Sequence, residues 1–113
     1  MNYYVDVILP LPLKGTFTYE LSQDEFNKLE IGFRVAVSFG KRKVYTGIVN
    51  ELHNSKPKSY ETKPIEFIYD NESLVSQNQI DFWNWLSRYY FVPIGDVMKA
   101  AVPSTFLLES DSL

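Results

Sequence analysis

The sequence predicts an α+β domain: a small, curved, mostly antiparallel β-sheet or open barrel of about five strands, followed by two C-terminal helices. Roughly the first 70 residues fall into short β-prone runs, which prolines, glycines and polar loops separate. From residue 76 onward the apolar side chains recur instead at three- and four-residue steps, which indicates helices. With 113 residues and 45% hydrophobic content, the chain is long enough for one compact domain with its own core.

The first two strands are predicted at the N-terminal end of the chain. Residues 2–9 alternate between apolar side chains on one face and a mixed set on the other, the period of a β-strand. Pro10 and Pro12 end this run because proline cannot donate a ladder hydrogen bond. Residues 16–21, "TFTYEL", form the second run, in which β-branched and aromatic side chains suit a pleated surface.

Three further strands are predicted in the middle of the chain. Residues 33–39, "FRVAVSF", and 44–52, "VYTGIVNEL", read as the two strands of a hairpin. Residues 53–62 are polar and predict a loop. Residues 63–70, "KPIEFIYD", predict the fifth strand.

The helices are predicted from their start signals. Two stretches begin with a serine that is followed three residues later by Glu or Gln, the pattern of a capping box: Ser22 with Glu25, and Ser76 with Gln79. The first is a short helical turn that ends near Gly32. The second is a long helix with an inner apolar stripe at Ile80, Trp83, Leu86 and Tyr90. The last helix begins at Pro93 and must end near Pro103.

The charges of the chain are segregated. The net charge is −3, yet residues 31–63 carry +5 and the remaining residues −8. Three of the cations follow Gly40 at the predicted hairpin turn: Lys41, Arg42 and Lys43. This asymmetry suggests an anionic partner that is met locally. The competing interpretation is a solubilising turn beside a lysine-rich loop.

The sequence lacks the residues that several classes of function require. There is no cysteine, and His53 is the only histidine, so thiolate and multi-histidine metal sites are excluded. No phosphate-binding glycine loop and no G-x-S-x-G motif occur, and His53 is interpreted as an ordinary surface residue. No apolar run approaches the length of about 20 residues that a membrane span needs. The N-terminus lacks a basic leader, so a cytoplasmic protein is expected.

The remaining features suit binding of single-stranded nucleic acid, which is held by cations on phosphates and by aromatic faces on bases. Aromatic side chains lie in or near the basic and loop regions: Phe17, Tyr19, Phe39, Tyr45 and Tyr60. Gly15 and Gly40 would let a ligand approach the backbone closely. The structural alternative is that Phe17 and Phe39 pack in the core and that Gly40 only serves a turn.

Three stretches narrow these alternatives: "LPLPLKGTFTYEL", "GFRVAVSFGKRKVYTGIV" and "WLSRYYFVPIGDVMKAAVP". In this order and spacing they resemble the N-terminal domain of the PriA family of replication-restart helicases. The resemblance runs from about Tyr3 to Pro103. It implies a module that recognises the 3′ end of the nascent leading strand at a stalled replication fork, without sequence specificity, and that is not itself an enzyme.

The resemblance also implies a domain organisation, cofactors and binding partners. Residues 1–105 would form a single 3′ DNA-end-binding domain, and a polar tail, 106–113, would lead to helicase lobes outside this chain. ATP and zinc are implied for the full-length protein, whereas no cofactor is expected here. The implied partners are single-stranded or forked DNA with a free 3′ end, the protein's own helicase domains and other primosome proteins, but no membrane. The alternative is a protein-docking module whose basic hairpin packs on the helicase lobes or on another primosome protein.

The resemblance assigns a pocket for the terminal nucleotide to Phe17, Thr18, Gly40 and Lys63. Thr18 stands where the family has an aspartate. Its hydroxyl can hydrogen-bond a sugar hydroxyl, but without the charge that makes such bonds about twice as strong. Auxiliary DNA contacts are expected from the hairpin cations and one tyrosine: Lys41, Arg42, Lys43 and Tyr19.

Overall fold

The computed structural model describes residues 2–41, 43–107 and 110–111. The strands are β1 (Tyr3–Ile8), β2 (Phe17–Leu21), β3 (Arg34–Ser38), β4 (Lys43–His53), β5 (Phe67–Ile68) and β6 (Ser110–Asp111). The helices are α1 (Gln23–Lys28), α2 (Gln77–Tyr90) and α3 (Ile94–Ala101), with a 3₁₀ turn at Ser104–Phe106. The strands form one antiparallel sheet in the order β2-β1-β4-β3-β5, and β6 pairs with β4. The predicted α+β class, with an open antiparallel sheet followed by C-terminal helices, is confirmed.

The chain segment before β5 connects β2 and β3, two strands that are not neighbours in the sheet. The backbone N–H of Glu20 in β2 donates to the carbonyl of Lys63 at 2.9 Å. Three residues later, the N–H of Glu66 donates to the carbonyl of Ala36 in β3 at 2.7 Å. The long fifth strand predicted here is wrong, since the chain changes its partner and only the two residues of β5 form a ladder with β3.

Apolar side chains cover both faces of the sheet and form two cores. The first core consists of Val5, Val7, Leu9, Tyr19, Leu21, Leu29, Phe33, Val35, Val37, Val49 and Ile65. The second core joins α2 and α3 to the other face and consists of Ile8, Ile48, Val75, Ile80, Trp83, Ile94, Met98 and Val102. Successive side chains of a strand point to opposite faces, so Val7 and Ile8 of β1 enter different cores.

Both predicted capping boxes are present. Ser22 Oγ accepts the N–H of Glu25 at 3.1 Å, and a carboxylate oxygen of Glu25 accepts the N–H of Ser22 at 2.9 Å. The same reciprocal pair occurs at the start of α2. The predicted end of the first helix at Gly32 is wrong, because α1 ends at Lys28. The next residue, Leu29, turns to an extended conformation and buries its side chain in the first core.

The inner stripe of α2 is shorter than predicted. Ile80 and Trp83 are buried, and Leu86 is half-buried. Tyr90 is 61% exposed, so its predicted inward position is wrong. An open apolar groove lies between this end of the helix and α3, and Tyr90 lines it. The last helix begins at Ile94, one residue after the predicted start.

Arg34 ties β3 to the residues that follow β5. Its Nη2 lies 2.8 Å from Asp70 Oδ1 and its Nε lies 3.1 Å from Oδ2, a two-point ion pair. The guanidinium also lies over the rings of Tyr69 and Phe106, at 5.6 and 5.2 Å from their centroids. Burial acts to raise the pKa of the Asp70 carboxyl, but the hydrogen bonds from Arg34 outweigh it and lower that pKa.

Candidate functional site

Three parts of the chain meet around β2. The ring of Phe17 packs edge-on against Phe39, with ring centroids 4.8 Å apart. The outer edge of β2 is covered by the segment around Lys63, whose carbonyl accepts a backbone hydrogen bond from this strand, and by Tyr60, whose hydroxyl accepts the N–H of Thr18 at 2.8 Å. Because Phe39 directly precedes Gly40, these contacts bring the four predicted pocket residues into one region of the surface.

Gly40 occupies the turn between β3 and β4. Its φ is +71°, a conformation that L side chains rarely adopt. The turn is closed by the N–H of Phe39, which donates to the carbonyl of Lys43 at 3.1 Å. A Cβ at Gly40 would meet no atom within 4 Å, so the space beside this backbone is open. Gly40 therefore serves the turn, and it also leaves room for a ligand.

The predicted basic residues differ in their surroundings. Lys63 and Lys41 are exposed, and within the described residues no ion pair involves either side chain. Lys43 is half-buried and interacts with other parts of the protein. Arg42 lies outside the described residues. The exposed ammonium groups of Lys63 and Lys41 are thus available to an anion.

Tyr19 is a poor candidate for a DNA contact. Its ring is 4% exposed and belongs to the first core. Its hydroxyl donates to the carbonyl of Ser38 at 2.8 Å. Burial, with a smaller contribution from Tyr60, raises the pKa of the Tyr19 hydroxyl well above its usual value. The buried ring offers no face on which a base could stack, so Tyr19 does not suit the auxiliary DNA contact predicted for it.

Phe17 and Thr18 place their side chains on opposite faces of β2. Phe17 packs against the first core, whereas the Thr18 hydroxyl donates to Asp6 Oδ1 at 2.6 Å. The same oxygen lies 2.8 Å from Nε2 of His53. The prediction that His53 begins the polar loop is wrong: it is the last residue of β4, its side chain is 20% exposed, and it stacks on Tyr4.

Sequence reasoning missed this polar network. Asp6 is visible as an acidic residue inside an apolar run, but nothing local identifies its partners. The register of the sheet sets Asp6 opposite Thr18 and Tyr4 opposite His53, and this pairing joins residues up to 47 positions apart. Asp6 lies between the other two side chains, so His53 does not contact the Thr18 hydroxyl as a general base would.

A second feature that the sequence did not indicate is an aromatic row on the outer face of α2. The rings of Phe82, Trp85 and Tyr89 stack in succession, with centroids 6.1 and 4.9 Å apart and interplanar angles of 14° and 15°. Their side chains are 55%, 47% and 61% exposed. Exposed aromatic surface of this kind is typical of an interaction site.

In the part of the chain that the structure describes, no group of three or more metal-ligating side chains could hold a metal ion. None of the helices described there has both the length and the apolar character that crossing a membrane would take.

Residues 6–103 match the family model of the PriA 3′ DNA-binding domain (3′BD). This chain belongs to the PriA 3′ DNA-binding domain family. Curated replication restart proteins PriA are similar over nearly all of it. That of Buchnera aphidicola subsp. Acyrthosiphon pisum is 31% identical over 107 residues, which are 95% of this chain and 14% of the relative. That of Treponema pallidum is 26% identical over 108 residues, 92% and 16% of the two chains, and that of Haemophilus influenzae is 31% identical over 99 residues, 88% and 13%.

Membership of the PriA 3′ DNA-binding domain family makes this chain a DNA-binding domain of a replication restart protein and not a catalytic one. The chain spans only 13–16% of the length of these relatives. The resemblance first seen in the three sequence stretches is thereby confirmed.

Proposed function

We propose that this domain recognises the 3′ end of the nascent leading strand at stalled replication forks, without sequence specificity. The observation that carries the proposal is the meeting of β2, the turn at Gly40 and the segment at Lys63 in a chain of this family. A protein that must act at any fork cannot depend on base edges, so its contacts should go to phosphate, sugar and a base face. Because the proposed ligand is chromosomal DNA, we also propose a cytoplasmic location.

Four of the predicted residues have a physical role in this proposal. The half-buried ring of Phe17 offers apolar surface, and Gly40 leaves its backbone open to the terminal nucleotide. The exposed ammonium of Lys63 binds a phosphate or sugar oxygen, while Lys41 adds local attraction. Few phosphates need to be neutralised at one chain end, which is compatible with a net charge of −3.

The direct test compares two fluorescent oligonucleotides that differ only at their terminus, one with a 3′-hydroxyl and one with a 3′-phosphate. We expect tighter binding of the 3′-hydroxyl end in a fluorescence-anisotropy titration. Equal affinity for both ends would contradict end recognition, even if the domain binds DNA.

Binding should be weak and sensitive to salt. Each phosphate that is neutralised on a single strand contributes about −0.7 to the slope of log K against log salt concentration. The few exposed cations near Gly40 and Lys63 therefore predict a total slope of about −2 to −3. Titrations at several salt concentrations measure it, and a slope near zero would exclude a phosphate-binding surface.

Lys63→Ala should weaken binding of 3′-ended DNA about equally for all four terminal bases, because we assign the ammonium to phosphate or sugar rather than to a base. The measurement is a set of titrations with four oligonucleotides that differ in the last base. Lys99→Ala is the matched control, since Lys99 is an exposed lysine on α3. A changed base preference, or a loss of folding, would show that Lys63 has another role.

We infer a second candidate function, that of a protein-docking module, from the exposed aromatic row of α2. The occupant we propose is another part of a full-length restart protein, because this chain spans only 13–16% of its relatives. This surface belongs to α2 and not to the basic hairpin, which is the docking surface predicted from sequence. A salt slope near zero, together with unchanged behaviour of Lys63→Ala, would favour docking over DNA binding.

A further inference from the structure

Three side chains on neighbouring strands share one carboxylate oxygen. Asp6 of β1 lies in register opposite Thr18 of β2. Its Oδ1 accepts the Thr18 hydroxyl proton at 2.6 Å and lies 2.8 Å from Nε2 of His53, the last residue of β4. The side chains of Asp6 and His53 are 21% and 20% exposed, so the network is partly shielded from water but is not sealed off.

The direction of each proton in this network is determined by its neighbours. The backbone N–H of Ser55 donates to Nδ1 of His53 at 3.0 Å, so Nδ1 carries no proton. Nε2 is then the ring nitrogen that donates to Asp6 Oδ1. His53 and Thr18 thus donate to the same carboxylate oxygen.

Thr18 has a single hydroxyl proton, and it donates that proton in a hydrogen bond to Asp6. The 2.6 Å distance is typical of a charge-assisted O–H···O⁻ bond. What remains on Thr18 Oγ1 is acceptor capacity only, the property that a carboxylate would have at this position. Asp6, on the neighbouring strand β1, thus supplies part of the negative charge that Thr18 itself lacks.

We propose that Asp6 is a specificity-determining residue of the 3′-end site, acting as a positioning residue through Thr18. The inference rests on the proposed function. A terminal 3′-hydroxyl can donate a hydrogen bond to Thr18 Oγ1, which the carboxylate behind it makes more negative. A 3′-phosphate near neutral pH offers mainly acceptor oxygens and up to two negative charges, so it meets no donor at Thr18 and is repelled by Asp6.

Asp6→Asn tests the proposal because it keeps the shape and removes the charge. The amide oxygen can take the place of Oδ1 and accept from both Thr18 and His53, but without a negative charge. We expect the affinity for a 3′-hydroxyl end to fall about fivefold, the difference between a charge-assisted and a neutral bond, and the affinity for a 3′-phosphate end to rise. Both are measured by titration with otherwise identical oligonucleotides, including one with a 3′-deoxy end.

Two sets of control variants separate the hydrogen bond from simpler effects. Glu51→Gln removes an exposed carboxylate that lies opposite Asp6 on β4, and no hydrogen bond links it to Thr18. It should leave the ratio of 3′-hydroxyl to 3′-phosphate affinity nearly unchanged. Thr18→Ser keeps the hydroxyl and should behave as the parent, whereas Thr18→Val should bind 3′-hydroxyl and 3′-deoxy ends equally.

The outcomes distinguish this inference from the proposed function. If the parent domain itself does not prefer a 3′-hydroxyl, the proposed function fails. If the parent has the preference and a folded Asp6→Asn keeps the same ratio, or loses affinity for all three ends alike, Asp6 has only a structural role. Should Asp6→Asn fail to fold, Thr18→Val decides, because its retention of a 3′-hydroxyl preference would overturn the proposal.

Discussion

Gly95→Ala is expected to destabilise the domain by about 3 kcal/mol, although the substitution places a better helix former inside α3. A Cβ at Gly95 would lie 2.2 Å from the carbonyl oxygens of both Leu9 and Leu11, and 2.9 Å from the backbone nitrogen of Leu11. These atoms belong to the main chain that follows β1, so no flexible side chain can move aside. The helix would have to shift and would pull Ile94 and Met98 from the second core.

The expected loss of stability is opposite in sign to the effect that helix propensity predicts. By helix propensity alone, alanine should stabilise the position by about 1 kcal/mol relative to glycine. Chemical denaturation of the parent and the variant measures the free energy of unfolding. Ala100→Gly on the exposed side of the same helix is the matched control and should cost only about 1 kcal/mol. A Gly95→Ala variant as stable as the parent would mean that α3 does not approach the chain after β1 this closely.

Gly40→Val is expected to abolish recognition of the 3′ end while the hairpin cations retain some general attraction to DNA. The structure adds a complication to this experiment. The φ of +71° strains any β-branched residue, so the variant should also lose about 1 kcal/mol or more of stability. The loss of binding must therefore be separated from the loss of folding by thermal melting.

One further variant makes that separation. Gly40→Asn adds a side chain that tolerates this conformation better. We expect Gly40→Asn to melt near the parent temperature and yet lose its preference for a 3′-hydroxyl over a 3′-phosphate. A folded Gly40 variant that still distinguishes these ends would remove Gly40 from the site.

Much of the secondary structure could be predicted from sequence because its signals are local. The alternation of residues 2–9 and the hairpin around Gly40 depend on neighbours in the chain, and both predictions are confirmed. The capping boxes that begin at Ser22 and Ser76 span only four residues each, and both are present. The pocket assignments themselves came from the resemblance, and the structure adds that Phe17, Gly40 and Lys63 lie in the same region.

The errors have a common physical cause, which is that the partner of a side chain is set by distant parts of the chain. Tyr90 continues the helical stripe of α2 by its spacing, yet it is 61% exposed because it lines an open groove between α2 and α3. Tyr19 looks like a stacking residue beside a basic region, yet the alternation of β2 buries it in the first core. The strand predicted at residues 63–70 is only two residues long because the chain leaves β2 to join β3.

The sequence by itself therefore determined the class of fold, the positions of most elements and, through three characteristic stretches, the family. Only the tertiary structure decided which side chains share a face of the sheet. The hydrogen bonds that join Thr18, Asp6 and His53 depend on the register of three strands, and no local pattern encodes that register. It is set when both faces of the sheet are buried at once, since a slip by one residue would send every apolar side chain of a strand to the wrong core.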